Sequence, residues 1–435
     1  MARWARWCVL PLLAAAAVSC QPRLERHEPA CEKKGVDREC FCDGGLGHAE
    51  CFGPGQSGPC TCDQETPDIV QLATSGDHSC VVLRDGRVAC WGRNDNGELG
   101  DGTHASRTQP ALVPGLRDVR AIALAGGPPY GFSCALVKGG TVTCFGRNTD
   151  GELGNGGAAL ETGTTLVQAR VKGIRALRAD TLHACAIDDQ DAVQCWGLDA
   201  NGQLGLRSLA QVSSPEPARV PDLPPALALD AGWQHTCVVL RDGGVRCFGL
   251  GTRGQLGDGK SESDSHARSV SGVSDALEVQ AGYEHSCVLT RAGAVKCFGR
   301  NDKGQLGDGT HSDRATPVSV QGLPNEPRIV QLALGRQHGC ALDEDGDVYC
   351  WGDNERGQLG DGTTKSRTRA QPIATLHHVE EIAAGGLVTC ARNASGVVYC
   401  FGDNASGQLG DGTRATRHDP TRVVFPPLGP TPSLN

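Results

Sequence analysis

The chain has 435 residues, of which 60 are glycine and only 4% are aromatic, and its formal net charge is −9. This composition suits many tight turns between short strands. The acidic balance argues against a nucleic-acid partner, which selects a basic protein face. Cysteine is unusually abundant, with 22 residues, and this number indicates an oxidising compartment.

The N-terminal stretch, residues 1–19, is typical of a signal peptide. Arg3 and Arg6 precede an apolar run that ends at Val18 and is too short to span a bilayer. The tetrapeptide that ends at Cys20 resembles the bacterial lipoprotein box, in which the cysteine is lipidated and becomes the first mature residue. The alternative is ordinary cleavage near Ala17, with Cys20 paired elsewhere. We expect a protein exported to the bacterial outer membrane or cell surface through this anchor alone, or otherwise to the periplasm or the medium.

A tether, residues 20–30, is followed by a small cysteine-rich module, residues 31–62, and a linker, residues 63–67. The module is rich in glycine and nearly free of large apolar residues, so it cannot bury a core and disulfides must hold it. A zinc site is disfavoured because CxxC spacing is absent. Several disulfide connectivities are open. The six cysteines of the module are Cys31, Cys40, Cys42, Cys51, Cys60 and Cys62.

Residues 68–425 repeat one sequence unit with a period of about fifty residues. The first copy, residues 78–103, reads HSCVVLRDGRVACWGRNDNGELGDGT, and its strands flank an Asp85-Gly86 turn, which indicates a hairpin. A strand precedes this hairpin and a weaker strand follows it. Seven copies predict an all-β fold, a seven-bladed β-propeller of four-stranded blades, preceded by the disulfide-rich module and followed by a tail, residues 426–435.

Two cysteines ten residues apart occur in every unit. The three-residue turn between them places them opposite each other on antiparallel strands, with Cα atoms roughly 4.5–5.5 Å apart, within reach of a disulfide. We predict seven such bridges: Cys80–Cys90, Cys134–Cys144, Cys185–Cys195, Cys237–Cys247, Cys287–Cys297, Cys340–Cys350 and Cys390–Cys400.

The string CWGRNDNGELGDGT, together with the upstream AGxxHSC pattern, resembles the regulator of chromosome condensation repeat family over about four-fifths of the chain. The resemblance implies guanine-nucleotide exchange on a small GTPase as one activity. The family also includes secreted bacterial members that inhibit an enzyme by docking one propeller face. The resemblance implies that the repeated histidines hydrogen-bond neighbouring backbone and do not bind metal. These histidines are His78, His183, His235, His285 and His338.

Motifs for catalysis are missing from the sequence. It has no nucleophile elbow, phosphate loop or zinc-binding helix motif, and no paired carboxylates can be assigned from the repeats. We therefore expect no cofactor and no metal. The repeated aspartates, such as Asp101, are expected to serve turns. The aromatic residue after each second cysteine, such as Trp91, is expected to pack between blades.

One loop position differs between the repeats. It lies four residues before each first cysteine, between the first and second strands, and the register predicts that all seven copies share one face. The position reads Gly76, Tyr130, Thr181, Trp233, Tyr283, Arg336 and Gly386. Tyrosine, tryptophan and arginine dominate binding hot spots, so we predict that Tyr130, Trp233, Tyr283 and Arg336 form a docking face.

These patterns predict an exported, membrane-anchored monomer without catalytic activity. It would bind another protein or an envelope macromolecule through one propeller face. Guanine-nucleotide exchange is the first alternative, but it requires a cytosolic or nuclear partner. A carbohydrate-acting enzyme that uses the central channel is the second.

Overall fold

In a computed structural model, the chain forms two compact units, divided between Asp63 and Gln64. The structure describes residues 67–127, 129–157, 163–207 and 212–428, and the backbone of four short strands before them. The predicted signal peptide, the lipidation site Cys20, the tether and the cysteine side chains of the 31–62 module lie outside the described residues. Within the described ranges, no helix has the length and apolarity to cross a bilayer.

The first unit contains a small antiparallel sheet. Its strands are β1 (Asp37–Cys42), β2 (Gly45–Gly53), β3 (Gln56–Ser57) and β4 (Thr61–Cys62). Strand β2 pairs with the other three, and its Gly47 lies opposite both Cys40 of β1 and Cys62 of β4. The glycine-rich module therefore forms strands that its composition alone did not predict.

The second unit contains seven four-stranded antiparallel sheets, each built from consecutive strands. Blade 1 comprises β5 (Ile69–Thr74), β6 (His78–Leu83), β7 (Val88–Gly92) and β8 (Arg107–Leu112). Blade 2 comprises β9 (Val119–Ala125), β10 (Phe132–Val137), β11 (Thr141–Gly146) and β12 (Gly163–Gln168). Blade 3 comprises β13 (Ile174–Asp180), β14 (His183–Asp188), β15 (Val193–Leu198) and β16 (Ser213–Arg219). Blades 4 and 5 comprise β17 (Ala226–Ala231), β18 (His235–Leu240), β19 (Val245–Gly249), β20 (Asp264–Ser269); β21 (Ala276–Ala281), β22 (His285–Thr290), β23 (Val295–Gly299) and β24 (Arg314–Ser319). Blades 6 and 7 comprise β25 (Ile329–Leu334), β26 (His338–Asp343), β27 (Val348–Gly352), β28 (Arg367–Pro372); β29 (Val379–Gly385), β30 (Val388–Asn393), β31 (Val398–Gly402) and β32 (Arg417–Arg422).

This arrangement confirms the seven-bladed propeller. The two middle strands of a blade are its most buried elements: every residue of β6 and β7 is buried, whereas outer strand β8 is only partly covered. Strand β7 begins at Val88, because the amide of Arg87 still belongs to the turn and donates to Asp85 Oδ1 at 3.0 Å.

The paired cysteines of every blade lie directly opposite each other on its second and third strands. Their Cα atoms are 4.1–4.2 Å apart, closer than the expected range, and their sulfurs are 2.07–2.13 Å apart, at bonding distance. All fourteen are buried. Each bridge joins two strands of one blade, so none joins one blade to another.

The aromatic residue after each second cysteine fills the space between two blades, as predicted. The seven residues are fully buried: Trp91, Phe145, Trp196, Phe248, Phe298, Trp351 and Phe401. Each ring packs on the last glycine of the Gly-Glu/Gln-Leu-Gly loop of the preceding blade. A Cβ on Gly100, for example, would lie 2.8 Å from the ring of Phe145, and the φ of Gly100 is 64°. Glycine is required there for both space and conformation.

Four of the five repeated histidines connect consecutive blades through a hydroxyl group. Nε2 of His235 lies 2.8 Å from Oγ of Ser286 in the next blade, and Ser286 donates to the backbone oxygen of Gln255 at 3.1 Å. The equivalent pairs are His78–Ser133, His183–Thr236 and His338–Thr389. Because the hydroxyl hydrogen is used by the carbonyl, Nε2 carries the imidazole hydrogen. These histidines therefore reach the backbone carbonyl through the serine or threonine hydroxyl, and not directly as the sequence analysis expected.

His285 is the exception. Gly339 occupies the hydroxyl position in blade 6, and neither ring nitrogen of His285 has a hydrogen-bond partner among the described residues. Glycine is required at 339 because a Cβ there would lie 2.7 Å from the ring of Trp351. Between blades 2 and 3, the same two positions hold Phe132 and Ala184, an apolar pair in one buried cluster. The fold thus accepts an apolar side chain at the histidine position.

We expect His235→Phe to lower the free energy of unfolding by about 1–3 kcal/mol at pH 7, because it removes a buried hydrogen bond and leaves Ser286 without that partner. His285→Phe is expected to leave stability unchanged or to raise it, because it removes two unpaired buried nitrogens. Urea unfolding followed by circular dichroism measures both. Equal losses of unfolding free energy in the two variants would contradict a stabilising role for the hydrogen bond between His235 and Ser286.

At acidic pH we expect His235→Phe to be more stable than the wild type, which is the reverse of their order at pH 7. Burial lowers the pKa of His235 to about 4 in the folded protein, against an ordinary value of 6.5. Its neutral form therefore favours folding fully above pH 6.5, and this contribution is lost as pH falls, by about 1.4 kcal/mol per pH unit. Phenylalanine does not titrate, so the variant should become the more stable protein near pH ~5. A stability difference that does not change with pH would contradict this.

Blade 7 meets blade 1 without exchanging a strand. Oε1 of Glu381 accepts a hydrogen bond from the amide of Leu72 at 3.0 Å. The backbone oxygen of Gln408 accepts from Ser79 Oγ at 3.0 Å and from Trp91 Nε1 at 2.9 Å. The ring is therefore closed by the same inter-blade contacts that recur elsewhere around it.

The segment after the last strand adds contacts that blade 1 alone receives. Phe425 meets Trp91 edge to face, with ring centroids 6.0 Å apart. The backbone oxygen of Leu428 accepts from a guanidinium nitrogen of Arg87 at 3.0 Å. This segment crosses the seam between the last blade and the first and covers its apolar core.

Candidate functional site

The first strands of the blades surround a central channel, and its cavity has a volume of about 650 Å³. The loops that join the first and second strands form one mouth of this channel. All seven copies of the loop position that differs between the repeats line the cavity: Gly76, Tyr130, Thr181, Trp233, Tyr283, Arg336 and Gly386. The structure therefore places the predicted docking residues at a single opening.

Three of the four predicted residues form a continuous stack, called here the aromatic stack: Trp233, Tyr283 and Arg336. The rings of Trp233 and Tyr283 are parallel within 9°, with centroids 4.0 Å apart. The guanidinium carbon of Arg336 lies 4.7 Å from the centroid of Tyr283. Burial raises the pKa of the Tyr283 hydroxyl, and the Arg336 charge opposes that rise. Blades 4, 5 and 6 thus contribute one residue each to a rigid surface.

Hydrogen bonds between neighbouring loops position the stack. The amide of Trp233 donates to the oxygen of Gly282 at 3.3 Å, and the amide of Arg336 donates to the oxygen of Gly386 at 2.7 Å. Each of these loops is therefore attached to the next blade. Arg336 is exposed, and it makes no ion pair with any residue that the structure describes.

Tyr130, the fourth predicted residue, has a different partner. Its ring lies under the guanidinium of Arg147, 4.8 Å from its centroid, and Arg147 also pairs with Asp150 at 2.9 Å and with Glu152. The longer loop of blade 2 accounts for this position, because it holds three more residues than the loop of blade 1 between the first strand and the second. Tyr130 is thus a second aromatic–arginine pair at the same mouth.

The three other copies of this loop position, Gly76, Thr181 and Gly386, have structural roles. Oγ1 of Thr181 lies 3.1 Å from the oxygen of Gly126, and Thr181 is buried with a φ of 34°. Gly76 and Gly386 touch each other across the seam: a Cβ on Gly76 would lie 2.5 Å from Cα of Gly386. Only glycine fits at this seam.

Several carboxylates that the sequence analysis did not single out also line the cavity, among them Asp180 and Asp230. Asp230 lies beside Arg178, with Nε 3.6 Å from Oδ1, and its Oδ2 accepts from the amide of Ala281 at 2.8 Å. Burial raises the pKa of Asp230 to about 6, and Arg178 opposes the rise. Burial raises the pKa of Asp180 to about 7, and the charge of Asp230 adds to this. Both groups hold a proton more readily than ordinary carboxylates.

A departure from the repeat pattern could have identified Asp180. The equivalent position in four other blades is a glycine of the channel wall: Gly232, Gly282, Gly335 and Gly385. Asp230 similarly stands where blades 1, 2, 6 and 7 have alanine. The signal was a charged residue at a position where most other repeats carry a small one.

The repeated turn aspartates serve their own turns, as predicted. Asp101 Oδ1 accepts from the amide of Thr103 at 2.9 Å, and Oδ2 pairs with Arg107 at 2.6 Å. These bonds hold the pKa of Asp101 below its ordinary value, against burial. Across the described residues, no group of three or more His, Cys, Asp or Glu side chains is arranged to hold a metal ion.

Comparison with known proteins identifies the relatives of this chain. E3 ubiquitin-protein ligase HERC2 of Homo sapiens is 30% identical over 313 residues, which cover 71% of this chain but only 5% of HERC2. Ultraviolet-B receptor UVR8 of Arabidopsis thaliana is 28% identical, over 77% of this chain and 76% of the receptor. This chain therefore spans a small part of HERC2 and most of UVR8.

Solved structures share the fold. Prp20p of Saccharomyces cerevisiae, studied for its binding to Gsp1p and histones, superposes with a TM-score of 0.69 at 20% identity, over 82% of this chain and 90% of that one. Human WBSCR16 superposes with a TM-score of 0.70 at 21% identity, over 78% of this chain and 95% of that one. Identities this low show the fold alone.

The family models cover nearly all of the propeller. Regulator of chromosome condensation repeats match residues 329–358 and 379–408 in one model, and 345–392 and 395–430 in another. The model described as RCC1-like domain matches residues 40–325, more than half of the chain. The protein is therefore a member of the RCC1-like domain family.

Proposed function

We propose that this protein is an exported, monomeric and non-catalytic propeller that binds another protein through the channel mouth, and that a lipid on Cys20 holds it at the outer membrane or cell surface. The aromatic stack is the observation that supports the docking role best. Tyrosine, tryptophan and arginine contribute most to binding energy at protein interfaces, and rigid aromatic side chains lose little entropy on binding. A partner that covers the mouth would contact all three residues together.

The cysteines support export. Fourteen of them are buried in pairs at bonding distance inside the blades, and such bridges persist in oxidising compartments. The apolar run before Cys20 supplies the matching export signal. The net charge of −9 favours a protein partner over a nucleic acid.

Guanine-nucleotide exchange on a small GTPase is the alternative that family membership favours, and the binding of Prp20p to Gsp1p is consistent with it. That activity requires a cytosolic or nuclear location, where the blade cysteines would be reduced. The carbohydrate-acting enzyme would use carboxylates of the cavity such as Asp180 and Asp230, but the sequence carries no catalytic motif to accompany them. Docking therefore remains the function that the geometry supports best.

The double variant Trp233→Ala/Tyr283→Ala tests the docking role. Partners from envelope fractions are captured on the wild-type chain, identified, and titrated against both proteins. We expect the dissociation constant to rise by about 30-fold or more, because the loss of even one hot-spot residue costs about 2 kcal/mol or more. Leu277→Ala is the matched control, since Leu277 is exposed but does not line the channel. Unchanged affinity in the double variant would contradict the proposal.

A further inference from the structure

Trp233, at the end of the aromatic stack, has only one face of its ring covered by another residue of the stack. Tyr283 of blade 5 covers one face of the Trp233 ring, and Arg336 covers the far face of Tyr283. Among the described residues, no ring or guanidinium covers the second face of Trp233. Since blades follow one another around the channel, that second face is directed towards blade 3.

Blade 3 has a small residue beside this face of Trp233 and a carboxylate next to that residue in the sequence. Its residue at the stack position is Thr181, which is small and folded against blade 2 through its contact with Gly126. The residue just before it is Asp180, which lines the cavity and makes no ion pair with the described residues. Asp230 of blade 4 lines the same wall.

The charges on this wall favour a cation. Asp180 and Asp230 line the cavity and Glu278 interacts electrostatically with Asp230, so the three carry three negative charges when ionised. Among the described residues, the cavity lining contains two cations, Arg178 beside Asp230 and Arg336 stacked on Tyr283. These carboxylates therefore outnumber the nearby cations. An added cation would be attracted by the carboxylates and by the face of the tryptophan ring together.

We propose that the gap between Trp233 and Thr181 binds a guanidinium group, the side chain of an arginine that the docked partner inserts into the channel mouth. The proposal rests on the docking function given above and names the chemistry of its partner. The group would continue the stack as its next layer, with Trp233 on its face and Asp180 and Asp230 at its N–H edge.

A planar guanidinium fits this gap better than an ammonium. It stacks on aromatic faces and donates two parallel hydrogen bonds to carboxylates, whereas an ammonium is compact and strongly hydrated. The channel mouth already contains two such pairs, Arg336 on Tyr283 and Arg147 on Tyr130. Trp233 is the third aromatic residue of the mouth and lacks a guanidinium partner within the described residues.

Binding should strengthen as pH rises from 5 to 8. The cation requires ionised carboxylates, and burial raises the pKa of Asp180 to about 7 and of Asp230 to about 6. The groups that face this pair are Arg178, Glu278 and Tyr283. Burial raises the pKa of Glu278 to about 7 as well, so its ionisation adds to the same trend. A bound guanidinium would displace protons from these groups.

The experiment titrates N-acetyl-arginine amide into the full chain, observed by calorimetry and by the indole NMR signal of Trp233. We expect saturable binding that falls tenfold or more in Asp180→Asn and in Trp233→Leu. Asp189→Asn is the control, since it removes an exposed carboxylate of the same blade and should bind as wild type does. Near-ultraviolet circular dichroism verifies that each variant is folded.

Three outcomes would overturn the site: equal binding of the uncharged N-acetyl-citrulline amide, equal binding of N-acetyl-lysine amide, or unchanged binding in Asp180→Asn. Partner capture separates this proposal from docking itself. Capture that survives Asp180→Asn but is lost in Trp233→Ala/Tyr283→Ala would refute the arginine site and retain the docking face. Loss of capture in both variants, together with binding of the arginine probe, supports the two together.

Discussion

Reduction of the seven blade disulfides is expected to prevent the propeller from refolding. Each bridge closes a loop of about eleven residues and contributes about 2.5–3 kcal/mol at most by constraining the unfolded chain. Seven bridges then contribute roughly 20 kcal/mol, more than the 5–15 kcal/mol total stability of an ordinary domain. The measurement is recovery of the native circular dichroism spectrum after dilution from denaturant, with and without reductant.

The folded protein itself should resist the same reductant, because all fourteen sulfurs are buried and a thiolate cannot reach them. A single-blade variant, Cys237→Ala/Cys247→Ala, is the graded control and should lose about 3 kcal/mol of unfolding free energy. Full refolding in reductant would show that packing alone holds the blades. It would also remove the argument for export that rests on these cysteines.

Trp351→Ala is expected to lower the free energy of unfolding by about 3–5 kcal/mol. The side chain is fully buried between blades 5 and 6, and its Nε1 donates to the oxygen of Gln305 at 2.9 Å. Gly307 and Gly339 both lack a Cβ where this ring packs, so the surrounding backbone cannot readily fill the cavity. Urea denaturation of the oxidised protein measures the change.

Trp351→Phe separates volume from hydrogen bonding. Four blades carry phenylalanine at this position, so the smaller ring is compatible with the fold. The variant loses the bond to Gln305 and part of the ring area, and we expect a cost of about 1–2 kcal/mol. If Trp351→Phe were as damaging as Trp351→Ala, the indole hydrogen bond and not packing would determine stability there.

The fold could be predicted from sequence because each blade repeats the same local instructions. The Asp85-Gly86 turn sets the hairpin register, and this register alone brings Cys80 opposite Cys90. Trp91 was recognisable as a packing residue because every blade has an aromatic side chain there. Repetition lets a weak local signal be tested seven times, so the architecture followed without any tertiary information.

The site was only partly predictable, because it depends on where the repeats differ. The shared mouth followed from strand register, but the contact between Trp233 and Tyr283 depends on side-chain directions in adjacent loops, which register does not give. Asp180 and Asp230 were missed because each occurs in a single blade, and averaging over repeats hides such residues. The apolar pair Phe132–Ala184 was hidden in the same way.

Each sheet of this propeller is made from one uninterrupted stretch of chain, so no blade borrows a strand from another. A blade is therefore a self-sufficient module, because all of its strand pairing lies within its own four strands. Duplication or deletion of one repeat in the gene would add or remove a whole module, and every remaining strand would keep its pairing partners. The number of modules in the circle is then decided by the wedge angle at which neighbours pack, and new termini opened between any two of them would leave every sheet intact.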